Sequence, residues 1–429
     1  MLVIRGGRVL DPAGGTDRVQ NILVDKGKVV RTISPRTQIP REFRGADEID
    51  ASGRLVVPGL IDIHVHLREP GHEYKETIAT GCAAAAAGGI TAVVCMPNTE
   101  PPNDNASVTE FMIQKARAHG GVIVHPAGAI SAGQKGETLA EMGDMKAAGA
   151  VAFTDDGRPV MNAGLMRCAL EYAGGLGMPI ISHCEDLALK GRGQMNEGAN
   201  STRFGLRPIP PQVEEIMVAR DIALCELTGA RLHLAHVSAE ASLRHIRAAK
   251  KRRIRVTAET APHYLWLDDG AVANYDTNTK VNPPLRSQSD VEALRRALRD
   301  GTIDAIATDH APHSPVEKEV EFEVASPGMI GLETSLGLVL RLVNENVITL
   351  KRAIALMTSG PARAMGLPGG TLSPGADANV TIIDLDREWT VDPASFASKS
   401  RNTPFAGWQL RGRAAATVVR GKVVYRDGI

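Results

Sequence analysis

The sequence predicts an α/β protein: a (β/α)8 TIM-like barrel with a small β-sandwich domain built from both termini. Three observations carry that expectation. Eight apolar, β-branched runs alternate with helix-like stretches across the middle of the chain. The two ends of the chain read alike, as short strands broken by Gly turns. Polar groups able to bind a metal recur where several of the central strands stop, and in a barrel those ends converge on one face.

The N-terminal elements come first. Val3 to Asp11 reads as strand, Gly turn, strand, and Asn21 to Ile33 repeats the pattern around Asp25-Lys26-Gly27-Lys28. Val418 to Asp427 has the same form, and Ala378 to Leu385 adds another strand. Residues 1–55 and 367–429 are therefore expected to form one composite domain, with residues 56–366 as the barrel. Its strands are expected at Leu55–Ile63, Ile90–Met96, Gly121–Pro126, Ala150–Thr154, Pro179–Ser182, Arg231–Ala235, Ile254–Ala258 and Ile303–Thr308. Helices are expected at Ser107–His119, Asn162–Gly174, Val213–Thr228 and Asp290–Arg299. An open doubly wound sheet is disfavoured, because no Gly-rich phosphate turn follows the first strand.

Bulk composition narrows the function classes. Lys plus Arg and Asp plus Glu both number 49, which gives no electrostatic reason to expect nucleic acid or an acidic membrane face as partner. Five cysteines with no C-x-x-C pair suggest reduced thiols rather than a disulfide framework. No apolar run approaches the roughly 20 residues of a spanning helix, and a cytoplasmic protein is the expectation.

The chemistry concentrates at the strand ends. His64 and His66 flank Val65, so period-2 alternation sends both imidazoles to one side, about 7 Å apart along the strand. His183 and His236 end two further strands, and Asp309 ends the last. Buried polar groups without partners are costly, and a shared divalent ion would partner all of them at once. Mixed imidazole and carboxylate ligands suit zinc, with manganese or cobalt as substitutes. Asp155 and Asp156 end the fourth strand, and only one of them should face the centre, where it could bridge two ions roughly 3.5–4 Å apart. His313 follows closely enough to be a substrate contact, and His310 is ambiguous. His72, His119, His125, His233, His245 and His263 are read as packing or surface residues. The charged stretch Ser314–Ile330 is the candidate lid.

These blocks also carry a resemblance. Pro58-Gly-Leu-Ile-Asp-Ile-His-Val-His-Leu-Arg-Glu-Pro-Gly resembles the opening signature of class I bacterial dihydroorotases. Met96-Pro-Asn-Thr, Ile181-Ser-His-Cys-Glu-Asp, Ala235-His-Val-Ser, Thr308-Asp-His-Ala-Pro-His and Lys399-Ser-Arg-Asn-Thr-Pro-Phe are similar to the family's later blocks, in order. The resemblance implies reversible cyclisation of N-carbamoyl-L-aspartate to L-dihydroorotate, with a metal-activated water and Asp309 as general base and acid. It implies one ion on His64, His66, Asp309 and a shared aspartate that by position looks like Asp156. A second ion would take His183, His236 and the same aspartate. Arg68, Asn98, Asn282, His313 and His66 would contact substrate. Hydantoinases, dihydropyrimidinases and allantoinases place a carboxylated lysine at the end of the fourth strand, where this chain has Phe153-Thr-Asp-Asp-Gly. Alternatives left open are another cyclic-amide hydrolase and a non-catalytic subunit of an aspartate transcarbamoylase complex. A transcarbamoylase partner and a homo-oligomer are compatible with either.

Overall fold

The protein is described here by a computed structural model covering residues 1–428. From the N-terminus, Leu2–Asp11 (β1), Thr16–Asp25 (β2) and Lys28–Ile33 (β3) form an antiparallel meander. Asp47–Asp50 (β4) and Leu55–Pro58 (β5) both pair with β1 in parallel, at opposite ends of it. The Gly6-Gly7 pair does not turn the chain. It makes a bulge in one continuous strand, because Gly6 takes up a φ of +68° and the register slips between Ile4 and Gly7.

The barrel strands follow: Leu60–Val65 (β6), Ile90–Cys95 (β7), Ile123–Gly128 (β8), Ala152–Phe153 (β9) and Pro179–Ser182 (β10). A small excursion pairs Met195–Asn196 (β11) with Pro208–Ile209 (β12). Arg231–Leu234 (β13), Val256–Thr260 (β14) and Ala305–Ile306 (β15) complete the parallel series. Their order is sequential from β6 to β15, omitting the excursion. The remaining gap is narrowed by a parallel bridge between Val65 and His310, with His66 N donating to His310 O at 2.9 Å. Ile61, Val94, Ala127, Ala152, Ile181 and Ala305 pack in one cluster although they come from six different strands, which a closed sheet alone permits. Ala362 and Met365, from the helix Ser359–Met365, pack into the same cluster.

The chain then returns to the first sheet through Val380–Thr390 (β16), Gln409–Val419 (β17) and Lys422–Arg426 (β18). β5 lies between β1 and the antiparallel β16, so strands from both ends of the chain share one eight-stranded sheet. The apolar run at 55–63 is thus two strands. Leu55–Pro58 belongs to the terminal sheet and Leu60–Val65 to the barrel. Gly59 is the joint between them, and a Cβ there would lie 2.2 Å from Thr91 Oγ1.

Helix caps explain the helical boundaries. Asn105 and Asn162 accept hydrogen bonds from the first turns of Ala106–His119 and Ala163–Gly175, and Ser287 makes a capping box on Gln288–Asp300. Ser314–Ile330, the candidate lid, contains the helix Pro315–Lys318 and buries Lys318, Phe322 and Ala325.

Candidate active site

Each candidate ligand sits at or just beyond the C-terminal end of a barrel strand, and all are buried. His64 and His66 project from β6, Asp156 follows β9, His183 follows β10, His236 follows β13, and Asp309 lies beyond β15. Arg68, His236 and Asp309 have φ values of +61°, +35° and +49°. Non-glycine residues in this region are strained by roughly 1–3 kcal/mol each, and such strain clusters where function over-determines the backbone.

Two triads form around one carboxylate. His64, His66 and Asp156 could hold one ion, and Asp156, His183 and His236 another. His64 Nε2 is 3.3 Å from Asp156 Oδ1, and His66 Nε2 is 3.5 Å from Asp156 Oδ2. His183 Nδ1 and His236 Nε2 lie 3.4 and 3.5 Å from Asp156 Oδ1. Asp309 Oδ1 completes the first group, 3.1 Å from His66 Nε2 and 3.6 Å from His64 Nε2. Asp155 points elsewhere. It accepts hydrogen bonds from the Ile130 and Ser131 amides at 2.8 and 3.1 Å and from the Ser131 hydroxyl, and so fixes the turn after β8.

The residues behind the ligands set their tautomers. His64 Nδ1 donates to Glu259 Oε1 at 2.7 Å, and His66 Nδ1 donates to Asn98 Oδ1 at 2.7 Å, which turns both Nε2 atoms inward. His64 Nε2 and Asp156 Oδ1 are buried without hydrogen-bond partners. Burial opposes charge on His64, yet the nearby Asp156 and Glu259 carboxylates raise its pKa well above the ordinary value. Burial likewise opposes an ionised Asp156, and the surrounding imidazoles nevertheless hold it well below the usual carboxylate range. Carboxylates gathered around unpartnered His64 Nε2 form a pocket that favours positive charge, and the donor set fits a divalent ion.

The expected substrate contacts separate by position. Arg68 is buried, its Nε donates to Pro312 O at 3.2 Å, and no carboxylate among the described residues is within ion-pair distance of it. The neighbouring Glu69 pairs instead with Lys115 and caps Ile78 N, while Glu73 caps Gly71 N. His313 lies beside Arg68, Nε2 to guanidinium 3.5 Å, and donates to Pro327 O at 3.0 Å. Burial first, then Arg68 and Lys75, push its imidazole down to about 3, so it is neutral. On the opposite flank, Asn282 Nδ2 donates to Glu185 Oε2 at 3.2 Å, and its Oδ1 accepts from Lys190 Nζ at 3.2 Å. His310 turns away from the ligands toward Glu76, at 3.3 Å.

Sequence reasoning missed Glu259, Asp62, His233 and Glu185. Asp62 accepts from the amides of His64 and Thr308, and burial raises its pKa to about 7. His233, read as packing, has its Nε2 3.2 Å from Glu259 Oε2. Burial opposes charge on Glu259 too, but His233 and His64 bring its carboxyl down to about 2. The available signal was an acidic residue inside an otherwise apolar strand, since a buried polar residue is more informative than an exposed apolar one.

Two family models match this chain: "Dihydro-orotase-like" over residues 53–242 and "Amidohydrolase family" over residues 227–425. A dihydroorotase of Geobacter metallireducens is 56% identical over 99% of both chains. One of Pelotomaculum thermopropionicum is 58% identical over 100% of this chain and 99% of its own. Among solved structures, an L-hydantoinase (dihydropyrimidinase) from Arthrobacter aurescens superposes with a TM-score of 0.89 at 27% identity, covering 100% of this chain and 96% of that one.

Proposed function

The chain belongs to the dihydroorotase family of amidohydrolases, and from that premise we infer that it interconverts L-dihydroorotate and N-carbamoyl-L-aspartate. The observation that carries the inference is similarity over the full length, together with a strand end that offers Asp156 and no lysine. The class I assignment rests on the motif blocks quoted from the sequence. The donor set favours zinc, with manganese or cobalt as substitutes.

The proposed ligands are His64, His66, Asp156 and Asp309 for one ion, and Asp156, His183 and His236 for the other. Bound there, the metal would polarise a carbonyl and bring the pKa of water toward neutrality. Asp309 is the proposed proton carrier. Burial opposes its charge, but His66, 3.1 Å away, and the nearby His64 and His236 imidazoles hold it ionised well below the usual range. In ring opening it takes the proton released as water adds to the amide carbonyl. It then gives that proton to the ring nitrogen as the C–N bond breaks, and cyclisation runs the same steps in reverse. Arg68 is the proposed anchor of the substrate carboxylate, since a planar guanidinium bonds both oxygens. The Asn98 carbonyl is engaged by His66, which leaves its Nδ2 for substrate. Asn282 and His313 bound the same space from opposite flanks.

Domains 1–55 with 367–429, and 56–366, are proposed as the two units, with β5 continuing the first. No helix among the described residues is long and apolar enough to cross a membrane, and a cytoplasmic location is part of the proposal. A transcarbamoylase partner or a homo-oligomer is a separate proposal, checked by co-purification and by sedimentation.

The deciding experiment is ring opening of L-dihydroorotate before and after chelation, with metal content assayed on the same sample. Activity lost with the chelator and restored by zinc supports the reading. A metal-loaded protein inactive on L-dihydroorotate but active on hydantoin or dihydrouracil overturns the substrate. Asp309→Asn is expected to reduce kcat by at least about 100-fold while retaining substrate binding; near-normal turnover would remove Asp309 from its role.

A further inference from the structure

The run Lys399-Ser400-Arg401-Asn402 supplies none of the ligands, yet it crosses the mouth of the barrel. It follows β16 of the terminal sheet and bonds to both loops that flank the site. Ser400 Oγ donates to Lys75 O at 2.7 Å, and Lys399 N donates to Glu76 Oε1 at 3.0 Å. These contacts hold the loop after His66 and Arg68. On the other side, Asn402 Oδ1 accepts from His313 N at 3.1 Å. Its Nδ2 donates to Ala311 O at 3.0 Å and to Gly328 O at 3.2 Å, and Ile330 N donates to its main-chain carbonyl at 3.0 Å. The side chain is 5% exposed and its three hydrogen bonds all go to loop backbone. Pro312, between the two clamped residues Ala311 and His313, supplies the carbonyl that receives Arg68 Nε.

We propose that Asn402 is a positioning residue for substrate binding: it clamps residues 311–313 and thereby sets the Arg68–His313 pair that meets the substrate carboxylate. The proposal rests on the reading of Arg68 and His313 as substrate contacts. Removing this buried amide leaves the His313 N–H and the Ala311 carbonyl unpaired, while the Gly328 carbonyl keeps Lys318 Nζ at 3.0 Å. Alanine removes the clamp. Aspartate goes further, setting an acceptor against two carbonyl oxygens.

The test uses the metal-loaded full chain and two readouts. In amide hydrogen exchange, Asn402→Ala is expected to speed exchange of the His313 amide by about 10-fold or more, with strand β13 unchanged. In ring opening of L-dihydroorotate, the same variant is expected to raise KM on the order of 10- to 100-fold with kcat within about 3-fold and metal content unchanged. Asn402→Asp should raise KM at least as much. An unchanged KM, or an equal fall in kcat with metal lost, overturns the proposal. If both Asn402 variants fail to fold, Ser400→Ala removes a single bond from the same strap. A KM rise of about 3-fold is then expected, and no rise overturns the proposal. Should the wild-type chain not turn over L-dihydroorotate, the substrate reading falls, and exchange at His313 alone decides whether the clamp exists.

Discussion

Glu259 illustrates what one residue contributes without touching a ligand-binding space. Its carboxylate is wedged between two imidazoles, His64 on one side and His233 on the other, and all three are buried. Partners of this kind fix ring orientation and raise ligand basicity, and their loss typically weakens metal binding by about 10- to 100-fold. Glu259→Gln is expected to show that loss in chelator competition, before any activity is measured. Arg68→Lys probes the opposite wall. Lysine keeps the charge but loses the planar fork, so KM for dihydroorotate is expected to rise by about 10-fold or more; an unchanged KM would argue against the anchor. The candidate ligands were legible because H-x-H and strand-end polar residues form a pattern along the sequence. Glu259 and His233 were not, because their partnership is made across strands β6, β13 and β14 and leaves no spacing to read.

At the scale of the element, the instructive cases are strands whose boundaries depend on what they meet. The apolar run at 55–63 carries no signal of a division, since both halves are equally hydrophobic. Gly59 alone marks the joint, where Thr91 crowds the backbone. Gly59→Ala is expected to cost about 1–3 kcal/mol, read as a lower midpoint in urea unfolding. The twin-glycine segment of β1 looked like a turn for a related reason: glycine permits either outcome, and pairing with β2, β4 and β5 selects the bulge. Strand β8 contributes a pH effect. Burial, then the charge of Arg420, holds the His125 imidazole down at about 4, against about 6.5 in an unfolded chain. Its contribution is therefore complete above pH 6.5 and is lost as pH falls from there toward 4, by up to about 3 kcal/mol. Wild type should lose more stability than His125→Gln between pH 7.5 and pH 5 in chemical denaturation; equal slopes would contradict this.

For the whole molecule, the alternation of strands and helices made the barrel readable, and the likeness of the two ends suggested a shared sheet. What the sequence could not convey was the traffic between the two parts. Strand β5 is paired on one side with β1 and on the other with β16, so the sheet is incomplete if either end is missing. A chain ending at residue 366 lacks β16, β17 and β18, and it is expected to yield no soluble, cooperatively melting protein. Chelation of the intact chain should lower its melting temperature by several degrees, because an ion held only by the folded state stabilises that state.

The strap at 398–402 has a consequence in time as well as in space. It follows the last barrel helix, Ser359–Met365, by more than 30 residues. At about 5–20 residues per second, a ribosome finishes the barrel some 2–7 seconds before it makes Asn402. During that interval the six proposed ligands are already synthesised, while Asn402, which bonds to residues 311–313, is not. Whatever order the nascent chain assembles in, the Asn402 contacts to residues 311–313 are among the last that the site can gain.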